Sequence, residues 1–390
     1  MRSRLRLLAL PAFAAALFQS GTSSADDSLP LATEQVEPPA RAVDAPIATE
    51  PPTNWAVAHA GFAPRLGTFG GIGTFALARA QTERFYGGVS FGAVRNDARI
   101  HVGVGQLTLG RNFAEKHFGG VQLSLTENGA KELVGLGQVA LAYNRGGKVI
   151  AIEQVAAYNR AERFAGVAQI GAHNRTDERF SGVTQIGMFN HARQRFTGAA
   201  QLGVVNAVGS ALFSDDEGGS DRFAGFAQTG IVNSVRGHFY GSMQVGVSSW
   251  TSGDFVGLAQ IGGLTAVAGT FKGLAQAGLV SLSKRESHGI QLGGASVALG
   301  DHEGLQIAGG TYAKNIDGAQ MGIVNIAGRV RGLQVGVVNH ADSLRGVQVG
   351  LVNHAEEGGL LPWTGFLNIG FGDGDDGSFA WSTQTRQAVR

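Results

Sequence analysis

A glutamine recurs along most of this chain at a nearly constant interval. From Gln106 to Gln348 the interval is 16 or 15 residues and then settles to 14, and only a step of 27 residues between Gln201 and Gln228 breaks it. A fixed interval of this size arises when one supersecondary unit is copied in tandem. The chain is therefore predicted to be a repeat array, in which a catalytic site assembled from scattered loops is not expected.

Each copy carries the same short signature. The glutamine is followed by glycine in many copies, and an asparagine closes the strand, as suits a residue that tolerates turn conformations. The signature residues, to which only a structural role is assigned, are Gln138, Gln169, Gln185, Gln201, Gln228, Gln244, Gln260, Gln320, Gln334, Gln348, Asn174, Asn190, Asn206, Asn233, Asn325, Asn339 and Asn353. No catalytic, cofactor-binding or metal-binding residue is predicted, and no cofactor.

The repeats are predicted to be β-strands. Val, Ile, Leu and Phe dominate each copy and no helical period survives across it, which indicates a strand of roughly 9 to 11 residues followed by a turn of about five. The polar segments Arg175–Arg179, His191–Arg195 and Ala341–Arg345 are predicted to be such turns. The long step after Gln201 is interpreted as one 16-residue repeat with an acidic insertion of 11 residues around Ser214–Asp221.

Composition divides the chain into four parts. Residues 1–25 combine a basic start, a short apolar stretch and small residues, which predicts a cleaved secretory signal peptide. The Pro-rich residues 26–65 are predicted to be a disordered linker. Residues 66–371 form the β-repeat domain, and residues 372–390 form a C-terminal tail. The protein is thus expected to be exported.

The distribution of charge favours a closed barrel. If side chains alternate strictly along a strand, each glutamine and the glycine two residues after it share one face, which lies opposite the most apolar row. Glu153 is the only charged residue well inside a strand between about 103 and 371, whereas the outer face of a water-soluble sheet is normally dotted with charges. An all-β, up-and-down barrel of the outer-membrane type with about 18 strands accounts for this. It places in two aromatic belts the recurrent phenylalanines Phe118, Phe164, Phe180, Phe196, Phe223, Phe239, Phe255 and Phe271.

A β-solenoid is the alternative architecture. In a solenoid every repeat is one coil, and like residues stack into Gln, Asn and Phe ladders. Two observations count against it, because a 14-residue coil leaves only about five residues a side and the outer face is unusually free of charge. The uniformly short connections count against the barrel. The barrel is favoured, and the solenoid stays open.

The last copies resemble a known family. The phrases Gly318–Asn325, Gly332–Ala341 and Gly346–Ala355 share the pattern Gly-x-Gln-x-Gly-x-x-Asn, which resembles the tandem repeats of bacterial surface-repeat proteins first named from leptospires. This resemblance implies exposure at the cell envelope. It implies no activity that belongs to any residue.

Composition and motifs exclude several classes of function. The net charge of +1 gives no case for nucleic acid, and the absence of Cys excludes disulfides and Cys nucleophiles. His340, His354 and the segment Asp373–Gly377 are interpreted as copied turn residues and a solvated tail, not metal sites. We expect a non-enzymatic envelope protein in the outer membrane or at the cell surface, alternatively in the periplasm. It is either a lipid-embedded barrel with a structural or passive-pore role, or a solenoid that acts as a binding or adhesion scaffold; a protein or glycan partner is left open.

Overall fold

The structure is a computed structural model that describes residues 54–209 and 221–372. These residues form β-strands joined by bends, so the prediction of an all-β repeat protein is confirmed. The chain divides into two compact units, Met1–Gly278 and Leu279–Arg390. The predicted signal peptide, the linker up to residue 53, residues 210–220 of the insertion and the tail from residue 373 lie outside the described residues.

Nineteen strands follow one another in the described part of the chain. They are β1 (Asn54–Trp55), β2 (Ala58–Gly61), β3 (Arg65–Ala76), β4 (Arg79–Gly92), β5 (Arg95–Thr108), β6 (Arg111–Ser124), β7 (Glu127–Ala140), β8 (Tyr143–Val155), β9 (Tyr158–Ile170), β10 (His173–Ser181), β11 (Thr184–Ala192), β12 (Arg195–Val208), β13 (Arg222–Thr229), β14 (Val232–Val235), β15 (His238–Thr251), β16 (Phe255–Val267), β17 (Phe271–Ser283), β18 (Ser287–Glu357) and β19 (Trp363–Phe371). β1 and β2 lie within the stretch predicted as linker.

Successive repeats pair in parallel and in register. Gln106 of β5 lies opposite Gln122 of β6, and Gln122 lies opposite Gln138 of β7. The first unit is therefore a β-solenoid in which each repeat is one coil stacked on the coil before it. The favoured barrel of about 18 strands is wrong, because neighbouring strands of an up-and-down barrel run antiparallel. The alternative architecture is the one observed.

The inward-facing side chains do not follow strict alternation. Phe180, Gln185 and Asn190 are all buried, although they follow one another at intervals of five residues and alternation would place Gln185 opposite the other two. Bends at residues 171–172 and 182–183 interrupt the pleat, so alternation restarts after each bend. The predicted assignment of Gln185 and Phe180 to opposite faces is wrong for this reason.

The recurrent phenylalanines form part of the core. Their rings stack coil on coil with adjacent centroids 4.7 to 5.2 Å apart, in a Phe ladder made of Phe164, Phe180, Phe196, Phe223, Phe239, Phe255 and Phe271. The predicted aromatic belts are therefore wrong for these seven residues. Phe118 alone of the predicted belt is partly exposed, because the neighbouring His117 takes the inward position of its coil.

Two of the three charged segments predicted as turns are part of the stacked strands, whereas the third, His191–Arg195, contains a bend at residues 193–194. Arg175–Arg179 lies within β10, and Ala341–Arg345 lies within the long strand β18. The insertion after Gln201 leaves the register intact on both sides, since Asn206 pairs with Asn233 and Phe196 pairs with Phe223. The interpretation of this step as one coil plus an insertion is thus confirmed.

The second unit has shorter coils that depend on a row of glycines. This row adopts positive φ angles of 114° to 144°, a region that side chains rarely tolerate, and consists of Gly289, Gly304, Gly318, Gly332 and Gly346. A Cβ atom on Gly332 would lie 2.0 Å from the carbonyl oxygen of Gly318. Glycine therefore makes the tight bend that precedes each glutamine in the 14-residue coils.

The second unit ends in a strand of opposite direction. β19 pairs antiparallel with the last coil of β18, and Asn368 Nδ2 donates a hydrogen bond to Gln348 Oε1 at 3.2 Å. Phe366 takes a positive φ of 65° within this strand. β19 thus covers the last coil of the unit and supplies a polar partner to its final glutamine.

Candidate functional site

The signature glutamines lie inside the solenoid. In the first unit each Nε2 donates to the Oε1 of the preceding glutamine at 2.7 to 3.0 Å, which builds a Gln ladder from Gln106 to Gln276. In the second unit the same bonds connect Gln291 to Gln348 at 2.7 to 2.8 Å. Every one of these side chains is fully buried. Burial of an amide costs little free energy when the amide is hydrogen-bonded. Because each coil supplies the hydrogen-bond partner of the next, the repetition of the glutamine satisfies the whole row.

The signature asparagines form a second buried row with the opposite direction. Each Nδ2 donates to the Oδ1 of the following asparagine, as from Asn174 to Asn190 at 2.9 Å, and this Asn ladder runs from Asn112 to Asn233. The same Nδ2 also donates to a backbone carbonyl of the next coil, at 2.8 Å for Ile186. In the second unit Asn325, Asn339 and Asn353 repeat the arrangement.

Both ladders are structural and closed to ligands. The signature residues have essentially no exposed surface, and their amides are engaged with each other and with the backbone. Glu153 lies half-buried in β8 directly before the buried Gln154. A functional site must therefore be sought among the outward-facing residues.

Three outward rows of the first unit are apolar and exposed. They lie two residues before, one residue after and three residues after each glutamine, and none of these positions from Val104 to Leu274 carries a charge. We call their large exposed members the apolar face: Val104, Leu136, Ile152, Val167, Val183, Phe226, Leu258, Leu274, Leu123, Ile170, Ile186, Leu202, Ile261, Leu109, Leu125, Leu141, Met188, Val204, Ile231 and Val247. Each is 36% to 70% exposed. A continuous apolar surface of this kind marks an interaction site.

A row of cations borders the apolar face. In five successive coils a cation directly precedes the buried residue that occupies the Phe-ladder position. These cations stack in register, and they are Lys148, Arg163, Arg179, Arg195 and Arg222. We call this row the basic ladder. Parallel strands lie about 4.8 Å apart, so each cation has a like charge as its neighbour, an arrangement that is destabilising by itself.

Few carboxylates compensate this charge. Arg163 Nε forms a short ion pair with Glu178, which raises the pKa of the guanidinium. The other four cations of the basic ladder form no ion pair with any residue that the structure describes. They therefore remain available to an anion.

A separate cluster of charges is internally paired. Asp177 lies 2.9 Å from Arg160 Nε and 2.8 Å from Arg175 Nε, and 3.8 Å from Arg193. Burial opposes ionisation, but the hydrogen bonds from Arg175 and Arg160 hold the pKa of Asp177 below its ordinary value. These arginines are compensated, which distinguishes them from the basic ladder.

The histidines do not form a metal centre. His340 Nδ1 lies 2.8 Å from His354 Nδ1, their rings stack, and His340 Nε2 lies 3.2 Å from Asp342. No group of three or more His, Asp or Glu side chains suited to a metal ion occurs within residues 54–209 and 221–372. No helix in this described part is long and apolar enough to cross a membrane.

The basic ladder is the feature that sequence reasoning missed. Its signal is visible as an arginine directly before the phenylalanine in successive repeats, at Arg163, Arg179, Arg195 and Arg222. Arg179 and Arg195 were assigned to predicted turns, where a charge needs no explanation. Parallel stacking places the four in one row, which no single repeat reveals.

The fold and surface define an all-β solenoid with buried amide ladders and an exposed apolar face bordered by cations. No protein-family model, no curated protein and no solved structure matches the chain.

Proposed function

We propose that this protein is a non-enzymatic binding scaffold of the cell envelope, whose apolar face is covered by a partner. The exposed apolar face is the observation that carries the proposal. Burying such a surface stabilises a complex by about 25 cal/mol for each Å² removed from water. The basic start and apolar stretch of residues 1–25 support the export that an envelope location requires.

The polar interior supports a binding role over catalysis. The amides of the signature residues are hydrogen-bonded to each other within the ladders, and the described histidines and carboxylates are dispersed or paired. The surface of the first unit has two chemically different parts, the apolar face and the charged rows. A stacked array presents such rows as an extended surface, which is how repeat proteins engage extended partners.

Cysteine labelling in cells tests this proposal, because the chain contains no Cys of its own. We expect Val183→Cys, on the apolar face, to be protected from a thiol reagent in intact cells that produce the protein and to react after purification. Lys131→Cys lies among the charged rows, seven residues before Gln138. It should react in both settings.

Equal reactivity of Val183→Cys in cells and in the purified protein would show that nothing covers the apolar face. That result would contradict the scaffold proposal. Protection of both cysteines would point to general inaccessibility, which also contradicts a role specific to this face.

A further inference from the structure

We infer that the surface which the apolar face covers is an anionic lipid surface, with the basic ladder placed at its phosphate groups. This inference rests on the scaffold proposal and names its partner. Two features of the first unit carry it: four uncompensated cations in one row, and an apolar face beside that row.

The two features have a spacing that suits a lipid interface. Arg163 and Val167 are four residues apart in β9, which corresponds to about 13 Å of extended chain. Interfacial elements bury their apolar side about 5–10 Å deep, at the boundary of headgroups and acyl chains. Long Arg side chains extend toward the headgroups while their stems stay on apolar surface, which spans the remaining distance.

The rows between them do not obstruct this contact. Ala165, Ser181 and Thr197 lie outward between the basic ladder and the apolar face, and all three are small. The carboxylates near the ladder are the exposed Glu162, Glu178, which is paired with Arg163, the buried Asp221 before Arg222, and Glu132, which lies opposite Lys148 and pairs with Lys116. They are fewer than the five cations. The surface is therefore net positive at one border and uncharged across the adjoining rows.

Charge complementarity favours lipid over a soluble polyanion. A polyanion such as polyphosphate would neutralise the basic ladder but would leave the apolar face in water. An anionic bilayer satisfies both, because its phosphates lie above its acyl chains. Glu178 compensates Arg163, whereas Arg179 and Arg195 form no ion pair within the described residues, so bound anions would lower the electrostatic cost of stacking these two.

Vesicle binding by the purified full chain tests the inference. The probes are phosphatidylcholine vesicles alone, the same vesicles with a minority of phosphatidylglycerol, and soluble polyphosphate. We expect binding to the anionic vesicles that weakens as salt is raised, since exposed charges are screened. A basic side chain near such a surface contributes about fivefold in partitioning, from about 1 kcal/mol each.

Two triple variants of equal charge separate the ladder from general basicity. Arg179→Gln with Arg195→Gln and Arg222→Gln, three cations of the ladder that form no ion pair within the described residues, should lower vesicle binding on the order of a hundredfold. It should unfold at the same or higher denaturant concentration, because it removes like-charge stacking. Arg65→Gln with Arg99→Gln and Arg145→Gln removes the same charge from other rows, and should leave most of the binding.

A third variant separates lipid from polyanion. Val167→Ser with Val183→Ser should lower vesicle binding at least several-fold and leave polyphosphate binding unchanged. If polyphosphate binds as tightly as vesicles and this variant binds both normally, the ladder serves a soluble polyanion and the lipid inference is overturned. If no vesicle binds while Val183→Cys is still protected in cells, the scaffold stands and the lipid inference fails.

Discussion

The side-chain amide of Asn174 donates to Oδ1 of Asn190 in the next coil at 2.9 Å. The backbone fixes the direction of this hydrogen bond. The same Nδ2 also donates to the carbonyl oxygen of Ile186 at 2.8 Å, and only an NH₂ group can donate to both acceptors. The adjoining bond from Gln185 to Gln169 runs the opposite way along the array. Each coil is therefore joined to the coil before it and the coil after it by separate amides.

Interrupting the Gln ladder should destabilise the first unit. Gln138→Leu leaves the Nε2 of Gln154 and the Oε1 of Gln122 without their ladder partner. A buried unsatisfied polar group costs about 1–3 kcal/mol, so a loss on the order of 2–5 kcal/mol in the free energy of unfolding is expected. Urea unfolding measures it. Leu136→Ser, two residues earlier and 53% exposed, is the control and should change stability by less than about 0.5 kcal/mol.

Two nearby phenylalanines should differ sharply in their contribution. Phe223 is fully buried, with Phe196 and Phe239 stacked on its two faces at 4.9 and 4.8 Å, whereas Phe226 is 59% exposed. Phe223→Ala should cost about 3–5 kcal/mol and Phe226→Ala far less. Denaturant midpoints of the two variants decide this. Similar losses in both would mean that Phe223 is not part of a continuous stack.

The glycine row of the second unit should tolerate no side chain. Gly332→Ala places a Cβ 2.0 Å from the Gly318 carbonyl oxygen at a φ of 132°, so we expect a loss above about 1 kcal/mol from strain alone. Thermal unfolding of the variant measures it. Gly105→Ala is the matched control, since its Cβ would meet its nearest atom at 3.7 Å. A harmless Gly332→Ala would show that the tight bend does not need glycine.

The stability of the first coils should fall in acid. His101 and His117 stack in the core, and burial lowers the pKa of His101 to about 3 and that of His117 to about 4, from an ordinary value of 6.5. Below about pH 6.5 these two histidines are therefore protonated in the unfolded chain, whereas in the folded chain they stay neutral until about pH 4. Stability is complete above pH 6.5 and decreases as the pH falls toward the folded pKa values, by about a few kcal/mol.

Replacement by phenylalanine tests the cause of this acid sensitivity. His101→Phe with His117→Phe extends the stack that Phe69 and Phe85 begin, and removes both titrating groups. The difference in urea midpoint between neutral and acidic buffer should shrink in this variant. An unchanged difference would assign the acid sensitivity to other groups.

Periodicity alone predicts most of the fold class, but not the path of the coil. The interval of the glutamines identifies stacked repeats, and Val, Ile and Phe identify strands. Whether Phe180 and Gln185 share a side depends on the bend at 182–183 between them, and strict alternation carries no information about bends. The barrel was favoured because the outer face lacks charge, and alternation extended through that bend assigned the glutamines to the opposite, interior face.

The candidate surface was predictable only in part. The shortage of charge on the outer surface is visible in the sequence, but strict alternation placed Val167 and Val183 on the glutamine face, which the barrel assigned to its interior. Both are exposed, so that assignment is wrong. The basic ladder is a property of the stack, because Arg163, Arg179 and Arg195 become neighbours only when the coils are parallel and in register. An antiparallel arrangement would have dispersed them.

The opposed directions of the Gln and Asn ladders bear on the charge at the ends of such an array. In an α-helix every peptide dipole adds to the last, so partial charge accumulates at the two ends. A coil that carries both residues, such as that of Gln185 and Asn190, adds one side-chain amide dipole in each direction, and sheet backbones add little of their own. Duplicating such a coil therefore adds no net side-chain amide dipole, so the paired ladders build up no charge at the ends of the stack.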